Sequence, residues 1–208
     1  TVDLQAGTAS GGDGTDQLSN FNNVRGSAHN DTLLGSDRTD YSESFDARAG
    51  NDSIDGRDGF DTLRFDSAAT GPVHASLVSG QATQDGASGS DVFENIEGLW
   101  GGVGNDTLIG GLADNGTDRA DFSLIEIFRG VAGADLIDGG QGFDRVDYAN
   151  SPLGVGVKLN DTVDGTASDG FGTVDTLRNV EGVLGSELAD SLTGSDTAPL
   201  EGFEGRGG

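Results

Sequence analysis

The feature that most constrains this chain is a nine-residue unit that recurs along it. Its clearest copy is Gly139–Asp147, GGQGFDRVD, which fits G-G-x-G-x-D-x-U-x at every fixed place, where U is a large aliphatic residue. Glycines at places 1, 2 and 4 permit a tight turn, and Asp144 at place 6 directs a carboxylate into it. Val146 at place 8 points inward, because side chains alternate along a strand. One unit cannot bury its apolar residue alone, so we predict stacked units with columns of carboxylates that need a cation.

The unit resembles the RTX, or hemolysin-type, calcium-binding nonapeptide, and its frame recurs about ten times in the chain. The resemblance implies an all-β fold, a right-handed parallel β-roll or β-solenoid of short strands with calcium-binding turns. Several Ca²⁺ ions would be held between turns stacked along the roll. It also implies type I secretion, with a secreted, extracellular or cell-surface location in a bacterium.

Composition limits the partners that the protein can have. The net charge is −25, from 36 acidic and 11 basic residues, so the chain lacks the basic footprint that nucleic acid requires. The acidic residues recur singly at fixed offsets from glycine, which indicates ligand placement rather than a solvated tail. There is no cysteine, so neither a disulfide nor a thiolate metal site can form. No apolar run approaches the roughly 18 residues of a membrane span.

The sequence aligns with itself in three long repeats, residues 2–71, 72–154 and 155–208. Each opens with an alternating strand and continues through a connector rich in Gly, Ala, Thr and Asp. The third stops within a nonapeptide, so we interpret the chain as a fragment of a longer protein. Because each unit contacts its neighbours, we predict one continuous solenoid over residues 1–208 rather than separate domains. An insertion around residues 112–120 is predicted to be a surface loop.

Twelve apolar residues at place 8 are predicted to face inward in the first two long repeats. They are Leu18, Val24, Leu33, Phe45, Ile54, Leu63, Phe93, Leu99, Leu108, Phe128, Ile137 and Val146. Most are nine residues apart, which is the spacing of successive strands in the frame.

Turns alternate between two edges of the predicted roll, so the place-6 residues form two sets. One edge carries only aspartate and is predicted to stack as Asp16–Asp31–Asp52 and Asp91–Asp106–Asp135. The other edge mixes Asn, Glu and Asp. The short aspartate side chain keeps its oxygen beside the turn carbonyls, so the all-Asp edge is the predicted metal edge. Glu43 and Glu126 are weaker candidates, because a glutamate there could also mark a turn closed by hydrogen bonds.

Calcium takes six to eight oxygen ligands at about 2.3–2.6 Å, and one such turn offers two or three, so two stacked turns complete a site. The predicted carboxylate ligands are Asp16, Asp31, Asp52, Asp61, Asp91, Asp106, Asp135, Asp144, Asp175 and Asp190. The predicted backbone carbonyl ligands are those of Gly12, Gly14, Gly102, Gly104, Gly140 and Gly142.

The function predicted from these patterns is non-catalytic. Every carboxylate has an explanation in the repeat frame, and neither His29 nor His74 has a partner at catalytic spacing. We therefore predict a calcium-binding region that folds on extracellular calcium and serves as a structural, S-layer-like or adhesin module. The alternative is a glycan-binding module of a secreted enzyme, similar to the repeat modules of alginate epimerases, which would need a basic groove. A catalytic parallel β-helix is the third class. Cell-surface or glycan partners and self-association are left open.

Overall fold

The computed structural model describes residues 1–65, 69–111, 125–159, 164–196 and 201–207. The insertion predicted to be a surface loop lies outside them. Within these ranges the protein is all-β and has 22 short strands, which confirms the predicted class. The same ranges contain no helix that could cross a membrane.

The strands form two sheets. Sheet A comprises β1 (Val2–Asp3), β2 (Thr8–Gly11), β3 (Gly14–Gln17), β5 (Thr32–Ser36), β7 (Ser53–Arg57), β9 (Val73–Ser76), β10 (Gln81–Asp85), β11 (Asp91–Glu94), β13 (Thr107–Ile109), β15 (Leu136–Asp138), β17 (Gly156–Lys158), β18 (Gly165–Ser168), β19 (Val174–Arg178) and β21 (Ser191–Thr193). Sheet B comprises β4 (Asn23–Arg25), β6 (Glu43–Asp46), β8 (Asp61–Arg64), β12 (Gly98–Trp100), β14 (Ile125–Arg129), β16 (Phe143–Asp147), β20 (Gly182–Leu184) and β22 (Gly202–Glu204).

Both sheets run through all three long repeats, and successive nonapeptides place their strands alternately in sheet A and sheet B. Neighbouring strands are parallel except around β2, β10 and β18, which run antiparallel to both of their neighbours. These three strands come from the connectors, whose strand character the sequence did not reveal. Each long repeat therefore adds a three-stranded antiparallel unit to sheet A.

The core consists of the place-8 residues, which lie side by side because parallel strands in register bring equal places together. In sheet B, Leu63, Leu99 and Phe128 are successive partners on β8, β12 and β14. In sheet A, Leu33, Ile54 and Phe93 are related in the same way. All twelve predicted inward residues are buried except Leu18, which is half-buried. The nine-residue spacing of the sequence therefore corresponds to rows of core residues on neighbouring strands.

The outward face of sheet B carries a row of arginine and aromatic side chains. Trp100 lies between Arg64 and Arg129, whose guanidinium carbons are 4.5 and 4.0 Å from its ring centroid. Arg129 also forms an ion pair with Asp147 on the next strand. These cation–π contacts each contribute about 0.5–1 kcal/mol at exposed sites. Arg64 and Arg129, which are far apart in the sequence, therefore lie on one face and interact with side chains of the protein itself.

Candidate metal-binding turns

The place-6 carboxylates form ladders along the N-terminal ends of the strands. Asp52 Oδ1 accepts the Asp31 N–H at 2.8 Å, and Asp91 Oδ1 accepts the Asp52 N–H at 2.9 Å. Asp135 Oδ1 accepts the Asp106 N–H at 2.8 Å in the same way. The first oxygen of these carboxylates thus caps the neighbouring strand, which leaves the second oxygen to interact within the turn.

The order of these ladders differs from the predicted one in two places. Asp16 lies exposed on β3, where β2 and β1 separate it from β5 and Asp31. Strands β10 and β9 similarly separate Asp91 on β11 from Asp106. The predicted stacking of Asp16 on Asp31 and of Asp91 on Asp106 is therefore wrong, because each connector folds back as an antiparallel strand between those turns.

The observed ladders are Asp31–Asp52–Asp91 and Asp106–Asp135–Asp175, with the Asp190 carboxylate capping Val155. The predicted Asp106–Asp135 neighbourhood is confirmed. Gly12 lies in the hairpin loop between β2 and β3, and Gly14 begins β3. A Cβ added to either glycine would meet nothing within 4 Å. These two glycines and Asp16 are thus in an open hairpin rather than between stacked turns.

In one class of turn the second oxygen of the carboxylate is satisfied by the protein, and we call these the hydrogen-bonded turns. Asp106 Oδ2 accepts the Gly102 N–H at 2.6 Å, and Asp31 Oδ2 accepts the Ser27 N–H at 2.6 Å. The glutamates behave likewise. The Ser36 N–H donates to Glu43 Oε2 at 2.8 Å, and the Gly111 N–H donates to Glu126. The geometry agrees with the alternative reading of glutamate as a marker of closure by hydrogen bonds.

A second class leaves the carboxylate unsatisfied, and we call its members the open turns. They end at Asp52, Asp61, Asp135 and Asp144, each of which keeps at least one buried oxygen that no described group contacts by a hydrogen bond. Asp91 and Asp190 also keep one such oxygen, but the open turns are set apart from them by a backbone with positive φ at places 2 and 4. In the turn to Asp135, Val131 has φ 79° and Gly133 has φ 130°. Positive φ is strained for a β-branched residue, and such strain concentrates at functional sites. The open turns span residues 47–52, 56–61, 130–135 and 139–144.

Burial disfavours the ionised form of these carboxylates and raises their pKa values. Burial, followed by the charges of Glu126 and Glu181, raises the pKa of Asp144 to about 9. The backbone N–H of Glu126 faces Asp144 and lowers its pKa by a smaller amount, although it does not meet the geometry of a hydrogen bond. Burial and the neighbouring Asp175 charge raise the pKa of Asp135 to about 8. Burial, Glu97 and Glu43 raise the pKa of Asp61 to about 7. Each site therefore favours a proton or a cation.

The donor atoms around the open turns suit calcium. A Cβ on Gly139 would collide with both Asp144 Oδ2 and the Asn179 carbonyl oxygen, so a carboxylate and a carbonyl from the adjacent turn face the same space. A Cβ on Gly56 would likewise collide with Asp61 Oδ2 and the Asn95 carbonyl oxygen. Hard oxygen donors of this kind favour Ca²⁺ over metals that prefer nitrogen or sulfur. No three His, Cys, Asp or Glu side chains converge in the described part of the chain, so carbonyl oxygens must complete any site.

Two buried aspartates, Asp85 and Asp169, were missed by sequence reasoning. Both are almost fully buried, immediately before the turns that lead to Asp91 and Asp175. Each belongs to an Asp-Gly pair six residues before the place-6 aspartate, in the second and third long repeats. Aligning the connectors alone would have shown the recurrence, but it lies outside the nonapeptide frame.

We expect that lowering the pH from about 9 to about 5 in excess EGTA increases the β structure of the protein. The pKa values of Asp61, Asp135 and Asp144 in the folded state are raised to about 7, 8 and 9, well above the ordinary value of about 4. The folded state therefore binds protons that the unfolded state releases, and its stability falls as the pH rises through this range. Far-UV circular dichroism measures the effect. With saturating calcium the trend should reverse, because protons compete with the cation. Constant or decreasing strand content on acidification in EGTA would contradict this expectation.

Comparison with known proteins gives no assignment. No protein-family model matches the chain, and no curated protein matches it. The case for a metal site therefore depends on the residues and geometry of this chain.

Proposed function

We propose that this chain is a non-catalytic calcium-binding region of the RTX type, a right-handed parallel β-roll from a secreted bacterial protein. The observation that carries the proposal is the set of open turns. Each buries an aspartate oxygen for which the described residues provide no donor, and in two of them, those ending at Asp61 and Asp144, that oxygen lies beside a carbonyl of the adjacent turn. A Ca²⁺ ion bound there would neutralise the carboxylate and accept the carbonyl as a ligand.

Calcium would then decide whether the chain folds. The charge of −25 opposes compaction through self-repulsion. A ligand that binds only the folded state stabilises it by RT ln(1 + [L]/Kd), which is about 2.7 kcal/mol per site at 100 times Kd. Three or four such sites would together contribute about 8–11 kcal/mol, which is comparable to the roughly 5–15 kcal/mol by which ordinary domains are stable. The protein would remain unfolded where calcium is scarce and fold outside the cell, as a structural, surface or adhesin module.

The glycan-binding alternative gains no support from the outward face of sheet B. The two faces of Trp100 are covered by Arg64 and Arg129, so a sugar ring could stack only by displacing a guanidinium group. Arg129 is in addition engaged by Asp147. We therefore do not advance glycan binding as a second function.

Calcium chloride is expected to restore the strand signal of EGTA-treated protein, whereas magnesium chloride at the same free concentration is not. Magnesium requires near-ideal octahedral geometry at about 2.0–2.1 Å and gives up its water reluctantly. Carboxylates and carbonyls on separate turns suit the larger and less demanding calcium ion. Far-UV circular dichroism during the two titrations measures the difference, and equal folding in magnesium would contradict the proposal.

A further inference from the structure

The junction between the first and second long repeats brings three buried carboxylates to one end of sheet A. Strands β10, β11 and β7 are consecutive neighbours there. Because β10 runs antiparallel to β11, its last residue, Asp85, lies at the end where Asp91 begins β11 and Asp52 precedes β7. The exposed fractions of Asp52, Asp85 and Asp91 are 2%, 2% and 1%. The antiparallel connector thus adds a third carboxylate to the place-6 ladder.

Each of these carboxylates has one oxygen in use and one oxygen without a partner. The N–H groups of Asp31, Asp52 and Ala87 donate to Oδ1 of Asp52, Asp91 and Asp85, respectively. Across the described ranges, nothing forms a hydrogen bond with Oδ2 of any of the three. The charge of Asp85 contributes to raising the pKa of both Asp52 and Asp91, after the larger effect of burial. The three groups therefore share one electrostatic environment.

A backbone carbonyl faces the same place. A Cβ added to Gly89 would collide with the Gly50 carbonyl oxygen and would lie 2.9 Å from Asp85 Oδ2. Glycine at position 89 keeps this space open between two turns. The Gly50 carbonyl oxygen and Asp85 Oδ2 therefore face one space, at the end of the sheet that also holds Asp52 and Asp91, and hard oxygen acceptors of this kind are the chemistry of a calcium site.

The junction between the second and third long repeats is built from equivalent residues but is closed by the protein. Asp135, Asp175 and Asp169 take the positions of Asp52, Asp91 and Asp85. The Tyr148 hydroxyl donates to Asp175 Oδ2 at 2.9 Å. Asp169 Oδ1 accepts three backbone N–H groups, and its Oδ2 accepts the Thr173 hydroxyl at 2.6 Å. Asp135 Oδ2 is the remaining member of this described set without a donor.

One hydroxyl group accounts for part of the difference between the two junctions. Phe65 is the counterpart of Tyr148, since each lies two residues after an inward residue and is buried. Their N–H groups also have equivalent acceptors, the carbonyls of Trp100 and Leu184. A phenylalanine ring has no group to donate to Asp91, whereas the tyrosine donates to Asp175.

We propose that the first junction is an additional calcium site, formed by Asp52, Asp85 and Asp91 with the Gly50 carbonyl. In the second junction, its counterpart, the Tyr148 hydroxyl and the turn after Asp169 satisfy Asp175 and Asp169, so that only the open turn at Asp135 is left to bind an ion. The inference rests on the proposed function for the identity of the ion, and extends it to a site outside the nonapeptide frame. The three carboxylates do not yet form a closed cluster, so the ion has to draw them together and take further oxygens from carbonyls.

Counting the calcium ions bound by the full chain tests this site. Native mass spectrometry and isothermal titration calorimetry with calcium chloride are expected to show one ion fewer for Asp85→Asn than for the parent protein. The matched variant Asp169→Asn should retain the full number, since its carboxylate is satisfied by the protein. Circular dichroism at saturating calcium verifies the fold of each variant. Phe65→Tyr, which removes no charge, should weaken the binding of one ion at least tenfold by supplying a donor to Asp91.

The outcomes separate this site from the proposed function. If the parent protein binds several ions and Asp85→Asn binds the same number, the junction site is wrong while the open turns stand. Equal losses in Asp85→Asn and Asp169→Asn would also overturn it, because the two junctions would then be alike. If Asp85→Asn does not fold, Phe65→Tyr decides alone, and unchanged affinities would reject the site. A parent protein that binds no calcium would overturn both proposals.

Discussion

In excess EGTA at neutral pH, the protein is expected to lose most of its β structure and to expand. Without a cation, the buried carboxylates of the open turns must be either ionised and unpaired or protonated at a free-energy cost. Residues such as Asp144, with a pKa raised to about 9, then oppose folding in addition to the net charge of −25. Small-angle scattering should show the radius of gyration rising toward the roughly 50 Å of an unfolded chain of this length. Circular dichroism should show the loss of strands.

Sodium chloride provides the control for this experiment. Salt at about 1 M reduces the Debye length to about 3 Å and screens the net charge, but supplies no ion that fits the turns. It should make the EGTA-treated chain more compact without restoring the strand signal. Unchanged strand content and radius of gyration in EGTA would mean that the core is sufficient without calcium.

Replacing Asp144 with asparagine is expected to have opposite effects with and without calcium. Asp144 is fully buried, and neither of its oxygens has a partner within the described ranges. Protonating a carboxyl of ordinary pKa near 4 at pH 7 costs about 4 kcal/mol, and the neutral amide avoids this cost. The amide N–H groups in turn lack acceptors, which costs about 1–3 kcal/mol. In EGTA, Asp144→Asn should therefore retain more strand signal than the parent protein, because its folded state gains about 1–3 kcal/mol of unfolding free energy.

With calcium present, the same substitution should reduce stability, because it removes a charged ligand. We expect the calcium midpoint for folding to rise at least threefold. Glu126→Gln is the matched control, since Glu126 neighbours Asp144 in the ladder but accepts the Gly111 N–H. It should leave the number of bound ions unchanged. Calcium titrations followed by circular dichroism measure both variants, and equal shifts in their midpoints would contradict the distinction between open and hydrogen-bonded turns.

The nonapeptide frame predicts the core well for a simple physical reason. In parallel sheets, equal places of successive units become neighbours, so place 8 forms continuous rows such as Leu63, Leu99 and Phe128. The connectors could not be placed in the same way. Their strands are short and rich in small residues, and pairing with β9 and β11 determines the direction of β10. That pairing is what separates Asp91 from Asp106.

The chemistry of individual turns was less predictable than their positions. The frame identifies the carboxylate of each turn, but the backbone conformation at place 2 determines whether an N–H reaches it. Arg48 and Val131 have φ values of 74° and 79°, which residues with a Cβ seldom adopt, so sequence preferences would argue against them. The closure of Asp175 by Tyr148 likewise joins residues 27 positions apart, a contact that no local pattern contains.

The most direct test is one calcium titration of EGTA-treated protein in which bound calcium and far-UV circular dichroism are recorded on the same sample. We predict that several ions bind per chain and that the strand signal appears with the same midpoint as binding. A full strand signal before any calcium binds, or calcium binding without a gain in strand content, would contradict calcium-driven folding.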